Sequence, residues 1–329
     1  SAPYDSVHDI CLDRNAVAYV VGGTATGFPV HKGTLPGHGG FLCRASLVGV
    51  LDYCSLLGAG TIYDCTVDGR GRVIAVGHAI GTDMPTVKPL QSPHVGSPDA
   101  SIMVVDGDRQ TLLFSSPLGG READWAVGVD VDEAGDVYVL GETRSPDFPM
   151  ANPVDAALSG FNDAFVARVD VDTPALLGST YLGGSQEENM GGGDHGSIAV
   201  TEDGVALAAG TTASIDFPTT GGAADRVFGG PGEGFLVLLD FRSDPPPPTA
   251  TPDPSREASV CRLILRKVPP AAIAAAMANP STVPGWERPC RSNLPPGPWN
   301  GKARTLTLRR LSVPYHDLYN PLVFACGCP

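Results

Sequence analysis

The chain lacks most of the signatures that announce a catalytic or membrane protein. It holds no run of about 18 apolar residues, the length a membrane-crossing helix needs. It has no CxxC pair, no HExxH, no CxxCH and no G-x-S-x-G elbow, so zinc, haem and hydrolase-type chemistry have no anchor in it. The glycine clusters Gly119-Gly120 and Gly191–Gly193 do not lead from a strand into a helix, so they are not phosphate loops. An N-x-[ST] sequon is missing, because Asn279-Pro280-Ser281 is blocked by its proline. Charged residues amount to only 18% and aromatics to 7%, yet hydrophobics at 42% still supply a core, which excludes disorder of the whole chain. Basic residues are few: the net charge is −14, which argues against nucleic acid and against anionic membrane surfaces.

Gly 41 and Pro 31 are plentiful among 329 residues, the composition of a turn-rich β protein. The chain opens Ser1-Ala2-Pro3-Tyr4-Asp5, without Met or an apolar leader, as a mature or trimmed chain does. Eight cysteines fall in two groups: Cys11, Cys43, Cys54 and Cys65, then Cys261, Cys290, Cys326 and Cys328. An even count without zinc spacing predicts disulfides in an oxidising compartment, two bridges in each group.

Internal repetition is the strongest signal. Four stretches share the form apolar strand, turn, apolar strand, glycine: Ile10–Gly22, Cys65–Gly77, Val127–Gly141 and Ile198–Gly210. Each reads as a β-hairpin around an Asp/Gly/Asn turn. Each of the last three follows another hairpin: Phe41–Ala45 with Tyr53–Gly58, Ser101–Asp106 with Leu113–Gly119, Ala164–Asp170 with Leu177–Gly183. Two hairpins make a four-stranded unit, so the sequence predicts an all-β fold, a β-propeller of about four blades over residues 1–243. A phrase recurs between the units as Ser145-Pro-Asp-Phe-Pro149, Ser214-Ile-Asp-Phe-Pro218, Gly81-Thr-Asp-Met-Pro85 and Thr26-Gly-Phe-Pro29. A buried aromatic before a φ-restricted proline suits a blade-to-blade crossover.

These residues resemble the SBBP family of β-propeller repeats over about 5–241. The likeness is most specific at Ser145–Val154, Asn162–Asp170 and Ser179–Gly184. The resemblance implies a secreted bacterial protein with no catalytic motif. That family is named for seven blades, whereas about four are counted here.

The strand count leaves a gap. Residues of about 7–24 give one hairpin, Glu233–Phe241 gives one strand, and a blade shared by the two ends would have three strands. Where a fourth is expected stands Asp244-Pro-Pro-Pro-Pro-Thr-Ala-Thr-Pro-Asp-Pro254, part of a stiff Pro/Thr linker over 244–255. Beyond it, residues 256–329 form a small, mostly-β, Cys-containing module with ten Lys/Arg against three Asp/Glu, while 1–255 carries 12 against 33. An open sheet edge recruits strands. The candidates are Val260–Val268, through Val260, Arg262, Ile264 and Arg266, and Arg304–Val313, through Leu306, Leu308, Arg309 and Arg310.

Asp130, Asp132, Glu133 and Asp136 lack the full calcium-loop pattern and suit a hairpin turn better. His195, beside Gly191–Gly193, has no partner nucleophile, and no cofactor or metal is expected. The expectation is a non-enzymatic extracellular protein that polymerises head to tail with itself as a filament or surface-layer subunit. The alternative is a monomeric adhesin that presents a glycan or protein site.

Overall fold

The structure is a computed structural model. It describes residues 5–241 apart from 25–27, 36, 38, 47, 59, 82–83, 92–95, 189–195, 203, 221–222, 224–226 and 231. The linker, the basic module, both strand candidates and His195 lie outside the described residues.

The described residues hold fifteen strands and no helix. Sheet 1 is the antiparallel meander β1 (Ser6–Leu12), β2 (Ala18–Gly23), β3 (Gly40–Ala45) and β4 (Leu51–Leu56). Sheet 2 repeats it with β5 (Thr61–Val67), β6 (Arg72–Ala79), β7 (Asp99–Asp106) and β8 (Thr111–Leu118). Sheet 3 does so with β9 (Asp124–Val131), β10 (Val137–Thr143), β11 (Asp163–Asp170) and β12 (Ala175–Leu182). Sheet 4 stops at three strands: β13 (Gly196–Val200), β14 (Val205–Thr212) and β15 (Glu233–Asp240).

The hairpins appear where the repeats put them, but their grouping differs from the sequence expectation. The segment around 7–24 is not half of a shared blade; β1 and β2 pair onward with β3 and β4 in a complete sheet. The three-stranded sheet lies wholly at the other end, β13–β15. The Phe-Pro phrase is therefore no crossover between sheets. It sits inside each sheet, between the second and third strands. There its aromatic covers the third strand: Phe28 stacks on Phe41 at 4.5 Å, Phe148 meets Phe165 at 4.4 Å, and Phe217 stacks on Phe235 at 4.8 Å. In sheets 1 to 3, two residues past the proline, the connection returns to the outermost strand. His31 bridges Cys54, Val87 bridges Ser115, and Ala151 bridges Ser179, which closes an otherwise bare edge.

The first hairpin of every sheet turns in the same way. The amide of Asp13, Asp68, Asp132 or Thr201 bonds the carbonyl four residues on, and its carbonyl accepts the amide three residues on. The third residue then needs a left-handed backbone; it is Gly71, Gly135 and Gly204 in three sheets but Ala16, at φ 60°, in the first. This accounts for Asp132, whose carboxylate accepts the amides of Gly135 and Asp136, and for Asp136, which pairs with Arg168 at 2.7 Å.

The sheets pack face to face in chain order. Tyr19, Val21 and Leu42 of sheet 1 meet Ile62, Val73 and Met103 of sheet 2. Ile102, Val104 and Phe114 of sheet 2 meet Val139, Phe165 and Ala167 of sheet 3. Tyr138, Leu140 and Val166 of sheet 3 meet Ile198, Ala206 and Phe235 of sheet 4. First strands lie side by side, β1 with β5, β5 with β9 and β9 with β13, while no comparable packing joins β13 to β1. Among the described residues, the result is a propeller-like row of blades that does not close on itself. The segment Thr219–Glu233 falls in a separate unit from the rest of the described residues, and in it the Gly229 N–H donates to Glu233 Oε1 at 2.6 Å.

Candidate interaction surfaces

Three features outside the ordinary core stand out: the inner strands, an aromatic stack on sheet 3, and the two ends of the row.

Along the inner strands, a carboxylate of one sheet caps an amide of the next. Asp9 Oδ2 accepts from Cys65 N at 3.1 Å, Asp64 Oδ2 from Val129 N at 2.8 Å, and Asp130 Oδ2 from Val200 N at 2.9 Å. The Cys11–Cys65 disulfide ties β1 to β5 at the same level, and Cys43–Cys54 joins β3 to β4. Both bridges fall within the first cysteine group, as its even count predicts; the second group lies outside the described residues. Burial, and then the neighbouring Asp9, hold the Asp64 carboxyl well above the usual carboxylate range. Beside them His8 meets Tyr63 edge-on at 5.2 Å, and Tyr63 stacks on His78 at 5.5 Å. Burial pushes His78 down to about 4, which keeps that imidazole neutral. The lone pairs of Asp9 and Asp64 are spent on backbone amides, which makes this a joint between sheets. Among the described residues, no group of three or more His, Cys, Asp or Glu is placed to hold a metal ion.

At the other end of the strands of sheets 3 and 4, a buried acid staples the sheet to the link before it. Asp124 accepts from Thr143 Oγ1, from Ser145 Oγ at 2.9 Å and from Gly120 N at 2.8 Å. Glu188 repeats this in sheet 4 with Thr212 Oγ1 at 2.7 Å and Gly184 N at 3.2 Å. Burial raises Asp124 to about 6, and burial raises Asp163 to about 6 as well. Near this end the Arg144 guanidinium lies between the Trp125 ring, 5.2 Å away, and the Phe161 ring, 4.8 Å away. Phe161 is 61% exposed, so the stack presents an aromatic surface to solvent. The sequence reading did not single it out, because its three members come from separate segments with no shared motif.

The ends of the row carry the remaining apolar surface. On sheet 1, Ile10 and Leu12 are 58% and 56% exposed. On sheet 4, Leu238 of β15 is 50% exposed, and Leu207, Ala209 and Leu236 share its face, partly exposed. β15 pairs with β14 on one side; among the described residues no strand pairs with its other side. The predicted assembly residues Val260, Arg262, Ile264, Arg266, Leu306, Leu308, Arg309 and Arg310 all lie outside the described residues, so the geometry places none of them against this edge.

No family model matches the chain, and no curated protein matches it. Among solved structures, it is similar to the acylaminoacyl peptidase of Pyrococcus horikoshii, with 9% identity and a TM-score of 0.35 over 63% of this chain and 28% of that one. It is similar to the tricorn protease with 17% identity and a TM-score of 0.34, over 72% of this chain and 21% of that one. A third likeness is to the Dos1 propeller, with 11% identity and a TM-score of 0.31, over 63% and 53%. The chain thus spans about a quarter of the length of the two peptidases.

Proposed function

We propose that this chain is a non-enzymatic extracellular structural protein, built from propeller blades of the SBBP type, that polymerises through its C-terminal module. One observation carries the reading: among the described residues sheet 4 has three strands, where its three predecessors have four. In those predecessors a short turn leads from the third strand to the fourth, from Ala45 to Leu51, Asp106 to Thr111 and Asp170 to Ala175. The same offset after Asp240 falls on the proline run from Pro245 to Pro248, which has no N–H to give a ladder. The strand that completes sheet 4 is therefore not local. Val260–Val268 and Arg304–Val313 are suited to the slot, as alternating segments of a module at +7 facing a body at −21. Supplied by a neighbouring copy, either makes a head-to-tail polymer. The two disulfides favour an oxidising, extracellular setting, and no helix among the described residues is long and apolar enough to cross a membrane.

The test is deletion of 244–329, followed by light scattering and electron microscopy beside the full chain. The full chain is expected to form fibres or sheets and the shortened chain to stay monomeric. Equal assembly of both would contradict the reading.

A second reading, a monomeric adhesin, draws support from the Trp125–Arg144–Phe161 stack, since exposed aromatic rings pack against sugar faces. It predicts that a glycan array gives signals that Phe161→Ala removes, from a chain that sediments as a monomer.

A further inference from the structure

The two end sheets carry matching halves of an interface the molecule already makes three times. Aligning the sheets on their shared turns puts Ile10, Leu12 and Val20 of sheet 1 at the positions of Cys65, Val67 and Ala75 in sheet 2. In sheet 2 those three face the sheet before it. Sheet 1 also keeps the aromatic cover of that face, Phe28 on Phe41, as sheet 3 keeps Phe148 on Phe165. At the far end, Leu207, Ala209 and Leu236 occupy the positions of Tyr138, Leu140 and Val166 in sheet 3, which face the sheet after it. Sheet 4 thus has the forward face of an interior sheet, and sheet 1 the backward face.

We infer that the forward face of sheet 4 stacks on the backward face of sheet 1 in a second copy of this chain, in the register that joins sheet 1 to sheet 2. The inference rests on the self-assembly reading but uses a different surface from the open edge of β15. Continuity with the interior interfaces selects the occupant: each face is built to receive a sheet of this repeat, and the two faces are complementary rather than alike, so the contact is head to tail. The joint lacks one interior feature. The positions of Asp64 and Asp130 are Ser197 and Ala199 in β13, so no carboxylate caps the next amide, and the contact is reversible. Apolar stacking between acidic bodies strengthens with salt, whereas docking of a basic module weakens with it.

The register makes a sharp test. Cys11 of sheet 1 bonds Cys65 of sheet 2; the same positions across the proposed joint are Ala199 and Ile10. The full chain carrying Ile10→Cys and Ala199→Cys is expected to give a ladder of covalent oligomers on a non-reducing gel, lost on reduction. Peptide mapping should show Cys11–Cys65 intact. Ile10→Cys with Ser197→Cys is expected to give no ladder above the parent chain. In parallel, Ile10→Glu/Leu12→Glu and Leu236→Glu/Leu238→Glu, with unchanged circular dichroism, should each lose the salt-strengthened association. Mixed together, the two should form dimers and nothing larger. No ladder, or a cross-link closed within one chain, overturns the inference. Salt-weakened assembly that survives both glutamate pairs also overturns it, while leaving docking of the C-terminal module intact. A full chain that is monomeric at every concentration sinks both.

Discussion

Sheets 3 and 4 are built from one pattern and live in different surroundings. On the forward face of sheet 3, Tyr138, Leu140 and Val166 are fully buried, because sheet 4 lies on them. On the forward face of sheet 4, the matching Leu207, Ala209 and Leu236 are only partly covered, and Leu238 stands where sheet 3 has the ion-paired Arg168. Alternation, turn and closing glycine are the same in both sheets. What differs is the neighbour. An apolar face written to a blade's pattern and left without a blade is a sign of missing company, and the same contrast separates sheet 1 from sheet 2.

The contrast can be broken at several points. The largest effect is expected at the one covalent tie between an end sheet and an interior sheet. The Cys11–Cys65 bridge closes a sequence separation of 54 residues. Cys11→Ser/Cys65→Ser should cost about 4 kcal/mol in urea unfolding, by the chain-entropy estimate. Next come matched truncations. Leu140→Ala opens a cavity between sheets 3 and 4 and should cost about 3 kcal/mol. Leu238→Ala on the exposed face should cost less than about 1 kcal/mol in the unassembled chain. Equal losses would mean that the end face is as buried as the interior one.

A third effect is electrostatic. Asp124 and Asp163 are both held near 6 in the folded chain, above the ordinary value of a free carboxyl. The folded state therefore binds their protons more tightly than the unfolded one. The stabilisation this gives is complete below the unfolded value and is lost as pH rises through about 6. The melting temperature should rise when pH falls from 7.5 to 5, and Asp124→Asn should flatten that rise. The smallest effect tests the shared turn. Ala16 occupies the left-handed position that glycine fills in the other three sheets. Ala16→Gly should stabilise by about 1 kcal/mol, and Gly135→Ala should destabilise by about as much.

Hairpins, turns and the first cysteine group were legible in the sequence; the grouping of hairpins into sheets was not. Any two neighbouring hairpins read as four alternating strands, so the pattern has no phase of its own. The long connections, such as Arg144–Asn162, look like passages between units and the short ones, such as Leu57–Gly60, like turns within a unit. The structure reverses this, because the long connection must pass the third and fourth strands to bridge the outer edge at Ser179. A clue lay in the residue two past the proline in sheets 1 to 3, a recurring position whose partner only the fold reveals. The carboxylates Asp9 and Asp64, which span sheets, were hidden for a related reason: each bonds a backbone amide, and an amide leaves no mark in the sequence. The short sheet was misplaced: the sequence built it from the first hairpin and Glu233–Phe241, whereas among the described residues the three-stranded sheet is β13–β15.

The most direct measurement is amide hydrogen exchange along β15, in the full chain under assembling conditions and in the chain ending at residue 243. If a strand from another copy fills the slot, the outward amides of β15, those not bonded to β14, are slow in the full chain and fast in the shortened one. Outward amides that exchange fast in both would contradict the account.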